Sequence, residues 1–346
     1  ELRLIAGGQI ERLVQRLRGE RMAPSKRPQA VTLQVEVVPP VSHPVTEAQL
    51  PVLTVPRWSQ PPVVDGKLDE PQWRVAAIAS PFWESNSSVP MPPYMETRGL
   101  LAYDENALYI GMVCLAPYPD RLVADQRQRD AFGIWLDESV EVFLASPDRP
   151  ERYAHFIINA LGTVYDELGF DVGWNTEITV ATHTDAQGWT VEIAIPWKSL
   201  PFDVDLNATD EPLLRLNLGR NHHQRGEAGV SHWAWSPTFG WFHNTQRFGV
   251  AMRHQGNILV KSVTPPSYVD DPPMQLTVLN LSERQEDVEV GGRRFAVPAR
   301  GEATIEVPSR TTPGDHQYRL RVRWRDGEVT VPITYSIPRP IQVVQQ

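Results

Sequence analysis

His222 and His223 stand side by side, and adjacent imidazoles are the first place to look for a transition metal. Neighbouring side chains on a regular strand point to opposite faces, so these two grip one ion only if a loop bends them together. Ser139, His155 and Asp166 have the residue types of a nucleophilic triad. No Gly-x-Ser-x-Gly turn, His-Glu-x-x-His pair or Walker loop accompanies them. Carboxylates are plentiful, but a glycosidase pair must stand about 5–10 Å apart across a cleft, which spacing along a chain does not specify. Asp65, Asp69, Glu70, Asp104, Asp130, Asp137 and Glu138 offer oxygens of the kind calcium takes, yet none has EF-hand spacing. These residue types support binding better than turnover, and the chain reads as no enzyme.

The elements that must hold such groups are strands. Residues 63–253 alternate apolar and polar in short runs. Leu100 to Tyr103 and Ala107 to Val113 flank the polar turn Asp104-Glu105-Asn106, a hairpin pattern. Val140, Val142 and Leu144 fall on one face of a strand, with Glu141 and Phe143 on the other. Trp189, Val191, Ile193 and Ile195 repeat the pattern against Thr190, Glu192 and Ala194, as do Leu214, Leu216 and Leu218 against Arg215 and Asn217. One-sided strands recurring with turns between them predict an all-β, antiparallel sandwich.

Five segments follow one another between Pro62 and Met252: Val64-Asp65-Gly66-Lys67-Leu68-Asp69-Glu70-Pro71-Gln72-Trp73, Tyr103-Asp104-Glu105-Asn106-Ala107-Leu108-Tyr109-Ile110, Trp135-Leu136-Asp137-Glu138-Ser139-Val140-Glu141-Val142-Phe143, Trp189-Thr190-Val191-Glu192-Ile193-Ala194-Ile195-Pro196-Trp197 and Arg247-Phe248-Gly249. Together they resemble the family 9 carbohydrate-binding modules and their CBM9-like relatives, over a little more than half of the chain. The resemblance implies a β-sandwich that binds without catalysing. In that family two aromatics sandwich a terminal sugar while polar side chains take its hydroxyls; a flat ring suits the apolar C–H face of a sugar and side-chain forks suit its rim. The family's spacing matches Trp135, six residues before the Glu of the Ser-Val-Glu strand, to the first stacking aromatic, and Glu141 to a hydroxyl-binding carboxylate. Asn159 matches a polar position on a neighbouring strand, and Ser139 is part of the same strand motif. The second aromatic precedes the closing Phe-Gly, where either Trp241 or Phe242 stands. Structural Ca²⁺ is also implied by the family, without a residue assignment here, and no other cofactor is called for.

The chain departs from that pattern too. Sugar-binding members carry an Arg directly after the Phe of the neighbouring strand, and here the residue is Ile157. A hydrophobe removes a bidentate donor that few residues imitate. Thr238 to Asn244 also lacks the polar residues expected just ahead of the aromatic. Trp73, Trp174, Trp189 and Trp197 read as packing residues, whereas Trp233 and Trp235 share a face with Ser231 and leave room for one solvent-facing pair.

The 346 residues suffice for two domains, and 32 prolines disfavour long helices. Residues 1–22 carry an amphipathic helical pattern at Ile10, Leu13, Val14 and Leu17. Through residue 28, seven Lys/Arg against three Glu give 7 − 3 = +4, inside a chain of net −9. Such a helix suits a protein partner or peripheral contact with an anionic membrane. Residues 23–62 read as a Pro-rich extended arm, with one candidate edge strand at Thr32 to Val37. Residues 63–256 form the CBM9-like sandwich, and 257–346, after the linker Thr264 to Pro273, a smaller immunoglobulin-like sandwich with strands at Met274–Leu279, Glu286–Val290, Thr304–Val307, Tyr318–Trp324 and Glu328–Tyr335. The negative net charge argues against nucleic acid as a partner. The single Cys114 lies in an apolar run and reads as a buried small hydrophobe. No segment has the roughly 18–20 apolar residues of a membrane-spanning helix. No secretory leader is recognisable, and an opening at Glu1 is what a mature or trimmed product shows.

Two readings follow. One is a binding or scaffold protein whose aromatic cleft holds a glycan or sugar end. The other is a structural accessory subunit, strapped by helix and arm to the periplasmic face of a larger bacterial membrane complex of the respiratory or photosynthetic kind, with sugar binding lost. Both place the protein in the periplasm or outside the cell.

Overall fold

Alternation with a period of two only pays off where one face of a strand meets a core, and the strands of this chain meet theirs in two sandwiches. The computed structural model describes residues 50–337 apart from 87, 88, 90, 209–211, 255, 267 and 268. The amphipathic helix of 1–22, most of the Pro-rich arm and the Thr32 to Val37 strand lie outside the described residues.

The first sandwich contains β1 (Val52–Val55), β2 (Ala77–Ala79), β3 (Trp83–Glu84), β4 (Thr97–Tyr103), β5 (Ala107–Leu115), β6 (Ser139–Ser146), β7 (Arg149–Asn159), β8 (Val164–Leu168), β9 (Thr179–Thr184), β10 (Gly188–Pro196), β11 (Leu214–His222), β12 (Ser231–Ala234) and β13 (Gly249–Arg253). One sheet runs β1-β13-β11-β6-β7-β8, with β12 joining β11 to β3; the other runs β2-β4-β5-β10-β9. All pairings are antiparallel except β1 with β13. The end of the stretch read as an arm is therefore part of the sandwich, where Leu53 and Val55 enter the core. Its prolines leave room for a four-residue edge strand, the place in a sheet that tolerates proline nearby.

Between the sheets lie Val140, Val142 and Leu144 of β6, Ala154, Phe156 and Ile158 of β7, and Trp189, Val191, Ile193 and Ile195 of β10. The faces of β6 and β10 are those the alternation predicts. The opposite faces are not simply solvated. Glu192 on β10 is fully buried and accepts the backbone N–H groups of Asp65 and Gly66 at 2.8 and 2.7 Å, and the Trp73 Nε1–H at 2.8 Å. The Val64–Trp73 motif is thus a strap tied over the outer face of the smaller sheet. Gly66 has φ +94°, and a Cβ there would meet the Thr182 backbone at 2.6 Å, so the strap passes only as glycine.

Glu138 links the two sheets. Its Oε1 accepts from Arg220 Nε at 2.8 Å and from Trp189 Nε1 at 2.8 Å; its Oε2 pairs with His222 Nδ1 at 2.9 Å and accepts the His223 N–H at 2.9 Å. Arg220 in turn donates to Thr97 Oγ1 and the Met95 carbonyl, each at 2.9 Å. The polar atoms of Glu138 and Arg220 are met within this buried cluster, the condition under which a charge tolerates an interior.

The second sandwich contains β14 (Ile258–Thr264), β15 (Met274–Asn280), β16 (Glu286–Val290), β17 (Arg293–Val297), β18 (Glu302–Val307), β19 (Gly314–Trp324) and β20 (Gly327–Ile337). Its sheets run β14-β15-β18 and β17-β16-β19-β20 around a separate apolar cluster centred on Val278, Val288, Val297 and Val322. Five of these strands were legible. The sequence reading missed β14, whose run abuts the linker, and β17, whose Arg293 and Arg294 are exposed and mask the alternation. The protein is all-β, and its helical segments are single 3₁₀ turns among the described residues.

Candidate functional site

The face of β6 turned away from the core carries Glu141 and Phe143. Register places Ile157 of β7 opposite Glu141, and His155 opposite Phe143. On β8, Tyr165 pairs with Ile157 and Glu167 with His155. On β11, Gly219 lies opposite Glu141, and Asn221 opposite Ser139. One strand period therefore collects acids, an imidazole, an amide and a phenol on a single patch of sheet. Loops rise around it to form a cleft of about 600 Å³, with Trp135, Phe170, Trp241, Phe242 and His243 in its walls. Both faces of β6 are covered, since Phe143, Tyr153, Phe242 and Phe248 cluster over the one away from the core.

The polar floor is one network. His155 Nε2 meets Glu141 Oε2 at 2.8 Å and His155 Nδ1 meets Glu167 Oε1 at 3.0 Å. Asn221 Nδ2 donates to Glu141 Oε1 at 2.7 Å, and the Tyr165 hydroxyl donates to Glu167 Oε2 at 2.8 Å. His232 Nδ1 faces Asn221 Oδ1 at 2.7 Å, where it must donate. Only an imidazolium satisfies both carboxylates at once. Burial works against that charge, but the hydrogen bonds and charges of Glu141 and Glu167 outweigh it and raise His155 above its ordinary value. Burial likewise acts to raise both carboxyls, and the hydrogen bond and charge of His155 overcome it and hold them below the usual range. Burial lowers His232 and His243, which therefore sit neutral near pH 7. The His155 ring also stacks on Phe143 at 4.0 Å with 9° between planes, which fixes its orientation.

The five residues read from the sequence fall differently within this arrangement. Trp135 lies half-buried in the cleft wall with Phe132 edge-on at 4.9 Å. Trp241 is 83% exposed at the rim. Phe242 is 7% exposed and faces Phe143, His232 and Gly219. A Cβ on Gly219 would approach the Phe242 ring at 2.9 Å, so glycine lets that ring lie on the sheet. The choice left open between the two aromatics separates by burial: Trp241 presents a free face, and Phe242 supports the wall. Glu141 lies in the floor, with both oxygens engaged by His155 and Asn221.

Asn159 is the exception and requires correction as a ligand contact. It shares the face of His155 and Ile157 but sits at the end of β7, outside the cleft lining. Its Nδ2 donates to the Gln126 carbonyl and to Asp137 Oδ2, both at 2.8 Å; its Oδ1 accepts the N–H of Leu161 at 3.1 Å and of Thr163 at 2.9 Å. With every polar atom engaged in shaping the loop before β8, it has nothing left for a ligand. Trp233 and Trp235 are both buried in the core, so the solvent-facing pair is also corrected. The imagined triad does not assemble. Ser139 Oγ accepts from Asn221 Nδ2, both His155 nitrogens face carboxylates, and Asp166 pairs with Arg129.

Sequence reading placed His155 only in the imagined triad and missed Tyr165, Glu167, Phe170, Asn221, His232 and His243. The strand residues had a signal: Tyr153, His155, Ile157 and Asn159 alternate with the core residues Ala154, Phe156 and Ile158. Phe170, Trp241 and His243 come from loops, whose packing no period reveals.

For metals, His155, Glu167 and His243 bring one ligand atom each within 4.8 Å of one another. Two imidazoles and one carboxylate do not suit calcium, which takes oxygen. Of the acids considered for calcium, Asp104 accepts the Asn106 and Ala107 N–H groups, Asp137 those of Asp125 and Gln126, and Glu138 pairs with Arg220. Among the described residues the seven acids bring no three carboxylates together in one group. His222 and His223 diverge as adjacent strand residues should, the first to Glu138 and the second to the Leu136 carbonyl.

No curated protein matches the chain. A carbohydrate-binding module family 9 domain from Caldicellulosiruptor kristjanssonii, solved in complex with cellotriose, is similar at 17% identity and a TM-score of 0.45, over 62% of this chain and 99% of that one. The same organism's family 9 module in complex with glucose gives 16% identity and a TM-score of 0.43, over 62% and 98% of the two chains. The family model described as carbohydrate family 9 binding domain-like matches residues 64–254. That match spans more than half of the sequence and takes in the strap, the cleft and every strand of the first sandwich except β1, and the chain belongs to this family.

Proposed function

We propose that the cleft holds the end of a saccharide and that the protein binds it without turning it over. The observation that carries this reading is the pairing of exposed ring faces with a fixed polar floor. Trp241 and half-buried Trp135 offer apolar faces above Glu141, Asn221 and the His155–Glu167 pair. Membership of a carbohydrate-binding family supports it. The scattered positions of Ser139, His155 and Asp166 support the absence of catalysis by that set. Titration of soluble mono- and oligosaccharides with Trp fluorescence tests the proposal: a saturable change, lost in Trp135→Ala and in Trp241→Ala, is expected. No saturation with any saccharide would reject it.

A division of the chain into a binding module that begins with β1 and runs to 256, rather than starting at 63, and a spacer sandwich at 257–346 is supported by the two separate apolar clusters. Limited proteolysis between them checks it. A periplasmic or extracellular location is part of the same proposal; the one buried Cys114 fits that location and a reducing compartment equally. Protease accessibility in intact and permeabilised cells decides that point.

A second reading has its own support. Phe132 and Phe170 are exposed by 88% and 73% beside the cleft, and Ile157 stands where sugar-binding members carry Arg. An apolar rim suits a protein surface. An accessory subunit docked on the periplasmic side of a membrane complex, held also by the basic helix and arm, would co-purify with its partners in mild detergent. A protein that runs alone under those conditions removes this reading.

A further inference from the structure

Every charged group that lines the cleft, apart from His155, is an acid. Glu141 and Glu167 lie in the floor, and among the described residues no Lys or Arg reaches the lining. The imidazolium of His155 cancels one carboxylate, because both its nitrogens donate to them. One negative charge remains, buried at 4% and 5% exposure for the two glutamates, where water screens it poorly. Each carboxylate oxygen keeps a lone pair beyond the bond it already accepts. Around this floor stand the rings of Trp135, Tyr165, Phe170, Trp241 and Phe242, whose faces are the negative pole of the aromatic quadrupole. Ile157, opposite Glu141, keeps the floor free of the guanidinium that would have neutralised it. A surplus negative charge ringed by aromatic faces is the environment that attracts an organic cation.

We infer that the cleft selects a saccharide whose inserted end carries a positive charge, an amino sugar with a free ammonium group, over neutral or acidic sugars. The inference rests on the saccharide reading above and adds the sign of the ligand. An ammonium group supplies donors to the spare lone pairs of Glu141 and Glu167, which a neutral hydroxyl also does. Only the ammonium gains from the residual charge and the ring faces. A carboxylate sugar meets repulsion from both.

The test uses the full chain and three sugars of one ring shape: glucose, glucosamine and glucuronate. They are titrated by Trp fluorescence and calorimetry at about pH 6, where the amine is protonated. Tetramethylammonium is titrated in parallel. Glucosamine is expected to bind at least about tenfold tighter than glucose, and glucuronate weakest. The gap should persist as salt rises from about 0.02 to 0.5 M, since the two glutamates are buried and salt screens them little. Glu141→Gln should narrow it, and Glu167→Gln supplies the same information should that variant fail to fold. Equal or tighter binding of glucose overturns the charge preference and leaves the saccharide reading standing. Binding of tetramethylammonium with no response to any sugar overturns the saccharide reading and keeps the preference for a cation. Silence from all four ligands overturns both.

Discussion

Ile157 of β7 is the cross-strand partner of Glu141 of β6, so a buried methyl-bearing side chain sits beside the carboxylate where sugar-binding members of this family place a guanidinium. His155, two residues along on the same face, takes over the carboxylate at 2.8 Å. The exchange leaves Glu141 paired, but with an imidazole that titrates and that also serves Glu167.

Ile157→Arg tests that exchange. The new side chain enters a site that is 2% exposed and packed with Ile134 and Tyr165, so a loss of about 2–4 kcal/mol in stability is expected from overpacking and charge burial. The added charge cancels the surplus of the floor. Glucosamine should then lose its advantage over glucose in the same fluorescence titration. An undiminished advantage would show that the floor charge does not set it.

Trp241 is 83% exposed and contributes little to packing, so Trp241→Ala should leave the thermal midpoint within the error of ordinary surface substitutions. Saccharide affinity should fall by at least about tenfold, roughly 1.4 kcal/mol. Circular dichroism melting and calorimetry separate the two effects. Unchanged affinity would remove Trp241 from the site.

Asn159→Ala should behave the opposite way. Four hydrogen bonds end on this fully buried side chain, two of them to backbone N–H groups of the loop before β8. Leaving those groups unmet costs about 2–4 kcal/mol. Urea unfolding should register that loss, while the affinity of the folded variant stays that of the parent. A selective loss of affinity would return Asn159 to the ligand.

Stability should depend on pH from both sides. Glu141 and Glu167 titrate lower in the fold than in the unfolded chain, so their contribution is complete above about pH 4.3 and is lost as pH falls through their folded values. Burial pushes His254 down to about 4 and also lowers His232 and His243. Being neutral in the fold, these three oppose folding increasingly below about pH 6.5. His155 has the reverse sign: its folded value is raised, so its contribution is complete below about pH 6.5 and is lost as pH climbs through that raised value. Urea midpoints should therefore peak just above pH 6.5 or so and decline on either side. His155→Gln should lower the whole curve and abolish the alkaline decline. A parent curve that stays flat from about pH 6 to 9 would contradict the charged pairing of His155.

Much of the sandwich was legible because strand alternation is a local property. Val140, Val142 and Leu144 could be assigned to one face before any partner was known, and they do face the core. The hairpin at Asp104 was legible for the same reason, since its carboxylate caps the Asn106 and Ala107 N–H groups within the turn itself. The order of the five motifs carried the family. What alternation could not supply was the fate of the second face. Glu192 and Glu141 both occupy polar faces of strands, and both are buried, one under the Val64–Trp73 strap and the other under loop aromatics.

The sequence by itself determined the fold class, the core-facing halves of β6, β10 and β11, and the positions of Trp135, Glu141 and the Trp241–Phe242 pair as residues to examine. Only the tertiary structure decided that Asn159 builds a loop, that Phe242 is a support, and that His155 joins Glu141 to Glu167. The reason is that register between strands and the descent of loops onto a sheet depend on contacts between residues far apart in the chain. Glu141 and Asn221 are 80 positions apart and share a 2.7 Å hydrogen bond. Their residue types disclose that each needs a partner, and the fold alone selects which partner each receives.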